Sequence, residues 1–221
     1  MKKIIFLLFV SAYSASFGQL QNTAAPTDVF MHYRVNSKNG KQLSYDDIKG
    51  SPYNIKEFRS AKISENYETI MARYNSYTDE VEFQKNDKIY VLPKNDVFSN
   101  IIFTNTKDKL VYLTDKSDLS GYFFEIVSGK NTLLKKIKTV FIDVIPAESS
   151  YSEDKPAKFQ TESPIYYIKT ENGIIKNPGS KNNIIDNFPG KKEALDVFFK
   201  SNKIKFNKEE DLIKLVNFLN T

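Results

Sequence analysis

The chain has 221 residues, a formal net charge of +5, no cysteine, no tryptophan and a single histidine, His32. Zero cysteine excludes disulfides, thiol nucleophiles, CxxC redox chemistry, iron–sulfur ligation and cysteine zinc sites; one histidine excludes a three-histidine metal centre and a paired-histidine zinc site. The basic residues are overwhelmingly lysine, with only Arg34, Arg59 and Arg73 to supply the rigid fork that nucleic-acid recognition exploits, so the charge reads as a solvated surface and no nucleic-acid partner is expected.

In chain order, Lys2 and Lys3 precede the apolar run Ile4 to Val10, too short to span a bilayer, and Ser16-Phe17-Gly18 ahead of Gln19 offers a cleavage site. Residues 1–18 therefore read as a cleavable secretory signal, with a periplasmic or secreted product and no integral membrane span afterwards. Cleavage leaves about 200 residues, enough for one substantial core or two small ones. Loss of Lys2 and Lys3 lowers the net charge from +5 to +3.

Residues 19–50 read as an N-terminal lead-in, with one short strand near Val29 to Val35 before the turn signal Asn39-Gly40. From 51 to 146 the pattern is that of antiparallel strands. Ile70, Ala72 and Tyr74 share one face of a strand, and Val81 and Phe83 alternate with Glu80, Glu82 and Gln84 beyond a turn at Asn75 to Asp79. Lys88 to Leu92 stops at Pro93, Ile101 to Phe103 and Leu110 to Leu113 form a hairpin, and Tyr122 to Val127 pairs with a long strand from Leu133 to Ile145 across Ser128-Gly129. Thirteen Tyr and seventeen Phe fall largely in these alternating runs, which favours strand packing over a carbohydrate-stacking platform.

Residues 147–163 read as a loop or linker, because Glu148 to Lys155 leaves almost nothing to bury. Residues 164–221 read as a β-hairpin turning at Glu171-Asn172-Gly173, then helices. Ser180 is placed to cap the first of these, Pro189-Gly190 to stop it, Lys191 to Asn202 to form the second, and Asn207 with Glu210 to open the last through a capping box. Strands and helices segregated in this way predict an α+β fold: an antiparallel β-meander, either an open curved sheet or a partial barrel, followed by a short C-terminal helical region.

Candidate chemistry is sparse, and no catalytic, cofactor-binding or metal residue is assigned. His32 sits in the lead-in, away from any triad context. Glu80 and Glu82, near Asp79, have the spacing of a glycosidase acid and base pair, yet a charged outer strand face with Lys85 and Lys88 explains the same residues. Asp143 interrupts an apolar strand, so it either faces the core with a partner or serves as an edge-strand charge. Asn207 to Asp211 lacks the glycine of a cation loop, Gly129, Gly173 and Gly190 are isolated turn residues, and Ser51 and Ser120 have no nucleophile-elbow context.

Gly50-Ser51-Pro52-Tyr53, Arg73 to Tyr77 leading into Asp79 to Phe83, Gly121-Tyr122-Phe123 and Asn207 to Leu215 resemble a group of uncharacterised exported proteins of flavobacteria and their Bacteroidota relatives. The similarity covers most of residues 50–221, and it implies an exported protein while carrying no activity to any residue. The expectation is a non-enzymatic envelope protein that binds another protein, a glycan or a lipid. The alternatives are a hydrolase of envelope polymers using carboxylates, and a lipid or lipoprotein carrier with a hollow sheet.

Overall fold

The computed structural model describes residues 33–63, 69–114, 119–149 and 151–221; residues 1–18, read from sequence as a signal, and the first part of the lead-in with His32 lie outside the described residues. The first elements are β1 (Arg34–Asn36) and β2 (Gln42–Ser44), an antiparallel hairpin that turns where Gly40 takes a φ of 81°. The lead-in 19–50 thus contains a folded hairpin. Its apolar side chains Val35, Tyr45 and Ile48 are buried with Tyr53, Ala157 and Phe159.

Strands β3 (Arg59–Lys62), β4 (Thr69–Asn75), β5 (Glu80–Lys85) and β6 (Lys88–Val91) form one meander. The chain then returns, and β7 (Asn100–Phe103) pairs with β3 on the side away from β4. A second meander follows in the opposite direction through β8 (Lys109–Thr114), β9 (Ser120–Val127) and β10 (Thr132–Lys136). The expected single strand from Leu133 to Ile145 is divided at Ile137 and Lys138. Its second part, β11 (Thr139–Ile142), leaves the large sheet and pairs with β12 (Lys158–Thr161), so the stretch expected as a loop ends in a strand. Strand β13 (Ile165–Thr170) returns beside β10 and turns into β14 (Gly173–Lys176), completing a ten-stranded antiparallel sheet in the order β14-β13-β10-β9-β8-β7-β3-β4-β5-β6.

One face of this sheet carries two cores. Over β3 to β9 it curls on itself: in a flat sheet Tyr74 on β4 and Phe124 on β9, four strands apart, would be about 19 Å distant. Their ring centroids are 5.8 Å apart. The curl makes a partial barrel whose interior is filled by Tyr74, Val81, Phe103, Leu110 and Tyr122, all 2% exposed or less. It is a packed interior of the kind small barrels have, not a hollow.

Beyond a register shift between Leu133 and Leu134, the same face receives the helices α1 (Lys181–Asn187), α2 (Lys192–Ser201) and α3 (Glu209–Leu219). Leu212, Leu215, Val216 and Leu219 of α3 are buried against Val127, Leu133, Tyr166 and Ile168, and Ile126 packs against both cores. Ser180 accepts a hydrogen bond from the Asn183 N–H at 3.2 Å, the expected cap of α1. The capping box expected at Asn207 and Glu210 does not form: α3 starts at Glu209, its N-cap residue Lys208 makes no side-chain cap, and Asp211 instead accepts the Lys205 N–H at 3.0 Å. The fold is α+β, as the segregation of periods predicts.

Candidate functional site

Three polar constellations stand out on this scaffold, and two of them are consumed by the fold. On the outer face of β4 and β5, beneath the β1–β2 hairpin, Arg73 donates from Nε to Glu82 at 2.8 Å and from its terminal nitrogens to the Tyr33 and Tyr53 hydroxyls and the Lys56 carbonyl. Its guanidinium also lies 3.7 Å and 4.2 Å from the Tyr53 and Phe58 ring centroids. Glu82 accepts further bonds from Tyr33 and from Asn75, and is 2% exposed. Register places Glu80 opposite Asn75 and Glu82 opposite Arg73, so the two carboxylates share a face as expected, but Glu82 is enclosed rather than solvated. A carboxylate with these partners has no open approach for a substrate. Burial pushes the Tyr33 hydroxyl up to about 12 and the Tyr53 hydroxyl up further.

The second constellation closes the barrel seam. Asp79, in the left-handed region at φ 56°, accepts Tyr74 Oη and Lys136 Nζ at 2.7 Å each and the Tyr122 N–H at 3.3 Å. Lys136 donates a second bond to the Tyr122 carbonyl at 2.8 Å. Burial is the main influence lowering the Lys136 ammonium's pKa, opposed by the charge of Asp79. The carboxylate fits only because residue 121 is glycine: a Cβ there would stand 1.9 Å from Asp79 Oδ2, and φ is 107°.

The third constellation is open. The β11–β12 pairing continues outward through the bridge of Ile145 with Lys155, whose backbone groups exchange hydrogen bonds of 3.0 and 2.9 Å. Asp154 accepts the Ala147 N–H at 2.8 Å, and Ser152 N–H reaches the Ser149 carbonyl at 3.1 Å. This is a hydrogen-bonded arm, yet every described residue from Val144 to Pro156 is exposed. Its exposed apolar side chains are Val144, Ile145 and Tyr151, the last at 101%. At the base of the arm lies a groove of about 500 Å³ lined by Lys49, Ile142, Asp143, Ile145, Lys155, Pro156 and Lys158.

Asp143 resolves into neither of its expected roles. Its carboxylate accepts the Ser37 hydroxyl at 2.8 Å and the Lys38 N–H at 2.7 Å, tying the turn of the β1–β2 hairpin to the arm. Those bonds, the Lys38 N–H first, hold its carboxyl below the usual range while the residue stays partly exposed. Ser51 bonds within its own turn through Tyr53, and Ser120 begins β9. Gly173 and Gly190 meet open space, whereas Gly129 is pressed against Asn220, where a Cβ would stand 2.6 Å from Nδ2.

Among the described residues no three His, Cys, Asp or Glu side chains converge as a metal site requires, and no helix is long and apolar enough to cross a membrane. The arm was not legible as a surface from sequence. Its one signal is Tyr151, an aromatic residue isolated in a serine and acid run. Compared with family models, curated proteins and solved structures, the chain matches none.

Proposed function

We propose that this chain is an exported envelope protein of the Bacteroidota type, acting as a non-enzymatic interaction module that engages its partner through the β11–β12 arm. The observation that carries the reading is Tyr151, wholly exposed on an arm held by backbone hydrogen bonds between Ile145 and Lys155 and between Ser149 and Ser152. Ordering a projecting hairpin costs conformational entropy without burying its side chains, and exposed apolar groups on such a segment gain their return on contact with another molecule. Export is supported by the Lys2-Lys3 and Ile4 to Val10 pattern ahead of Gly18.

Two features weigh against the alternatives. The Glu80 and Glu82 pair is split between a half-buried and an enclosed carboxylate, which removes the geometry a glycoside hydrolase needs. The concave side of the sheet is filled by Tyr74, Phe103 and Tyr122, which leaves little room for a carried lipid there. The partner class in this reading is another protein, a glycan or a lipid of the envelope.

A photocrosslinking amino acid placed at position 151 in cells tests the reading. Discrete adducts at 151, absent when the same group is placed at exposed Val197 on α2, are expected; no adduct at 151 would reject the arm as the contact. N-terminal sequencing of the exported product should begin at Gln19. A product retaining Met1 would reject cleavage.

A further inference from the structure

The charges on the arm are arranged by position. At its base, Lys49, Lys155 and Lys158 surround the groove with Ile142, Ile145 and Pro156, and among the described residues none of the three ammonium groups has a carboxylate within ion-pair distance. Lys49 is bridged to Lys158, which is paired with Ile142, so these three residues form one row across neighbouring strands. At the tip stand Glu148, Glu153 and Asp154, all exposed, with Tyr151 among them. The remaining charge in the groove is Asp143, whose carboxylate is already engaged by Ser37 and Lys38.

An arm that is basic and grooved at one end, and acidic with an aromatic at the other, is complementary to itself when turned end for end. That is the symmetry of an isologous contact, in which the same patch on two copies meets across a two-fold axis. An anionic membrane fits less well, because the acidic tip would meet it first. A uniformly acidic partner would satisfy the lysines but leave the tip repelled.

We propose that the arm is a homodimerisation element: two copies lay their arms antiparallel about a two-fold axis, and each seats Tyr151 and its acidic tip in the groove of the other, against Lys49, Lys155 and Lys158. The inference rests on the reading of the chain as an interaction module and names a second copy as the occupant. Tyr151 lies nine residues from Ile142 and seven from Lys158, at about 3.3 Å per residue along a strand, so two arms laid antiparallel can overlap along their length. Exposed charge pairs of this kind set register and weaken with salt, while the tyrosine supplies the buried contact.

The test is sedimentation equilibrium of the processed full chain and two charge-reversed variants, Glu148→Lys with Glu153→Lys and Lys155→Glu with Lys158→Glu. The wild type is expected to dimerise, with a dissociation constant rising about tenfold or more between roughly 0.05 and 0.5 M salt. Each reversed variant alone should be monomeric, and an equimolar mixture of the two should recover a heterodimer. Tyr151→Ser, which alters only a fully exposed side chain, should weaken the wild-type dimer without changing the circular dichroism spectrum. A monomeric wild type at every concentration overturns self-pairing, as does a dimer insensitive to all three variants. A monomer that still crosslinks from position 151 to a different molecule overturns self-pairing while sparing the interaction-module reading; a monomer with no adduct removes both.

Discussion

Two tyrosines of the barrel interior make opposite predictions from the same substitution. Tyr74 donates to Asp79 at 2.7 Å, and Tyr74→Phe leaves that bond unmade inside the seam, for an expected loss of about 1–2 kcal/mol. Among the described residues the Tyr122 hydroxyl is enclosed without a hydrogen-bond partner, so Tyr122→Phe should be neutral or stabilising by up to about 1 kcal/mol. Urea unfolding of the two variants measures both signs. Asp143 gives a pH prediction: with its folded-state carboxyl held below the ordinary 3.8, its stabilisation is present above that value and lost as pH falls through the folded-state one. Asp143→Asn should flatten this part of the acid limb of an unfolding curve. The alternation of Ile70, Ala72 and Tyr74 places the Tyr74 ring on one strand face from sequence alone, whereas Tyr122, between Gly121 and Phe123, is legible only as a strand residue. The bond from the Tyr122 N–H to Asp79 was not legible, because the two residues are 43 positions apart and meet only when the sheet curls.

Helix α3 shows why an element can be found from its period while its ends are not. Leu212, Leu215, Val216 and Leu219 announce an apolar face, and the structure buries all four. The end of the helix, however, is fixed by tertiary contact. Asn220 accepts the Asn131 N–H at 2.8 Å and donates to the Asn131 carbonyl at 2.9 Å, and Asn131 Nδ2 reaches the Leu219 carbonyl at 3.1 Å. Leu215→Ala is expected to cost about 2–5 kcal/mol, because the side chain is wholly enclosed between helix and sheet; a denaturant midpoint shift at unchanged slope is the readout. A similar limit applies to the division of β10 from β11. Apolar residues continue through Ile137, so nothing local marks where the chain leaves one sheet for another. The same limit hid β12, whose Phe159 alone points inward among polar neighbours and finds its partners in the N-terminal hairpin.

At the scale of the whole molecule, fold class was legible because strand and helix periods occupy separate stretches of chain. Strand order was not: the β3 and β7 pairing joins two meanders across 40 to 42 positions, and no local turn encodes it. The resulting enclosure has a titration signature. Burial raises Tyr33 to about 12 and lifts Tyr45, Tyr53, Tyr74, Tyr122 and Tyr166 above their ordinary 10.0. Groups whose folded-state values are raised contribute stability that is complete below pH 10 and is lost as pH rises through the folded-state values. These six phenols should therefore ionise together with alkaline unfolding; phenolate absorbance against pH, followed beside circular dichroism, checks it. The most direct test of the arm as the binding element is to replace residues 146–154 by Asn-Gly, a two-residue turn that closes the Ile145 and Lys155 bridge. Unfolding free energy unchanged within about 0.5 kcal/mol, with self-association abolished, is the predicted result. A shortened chain that associates as the wild type does would contradict it.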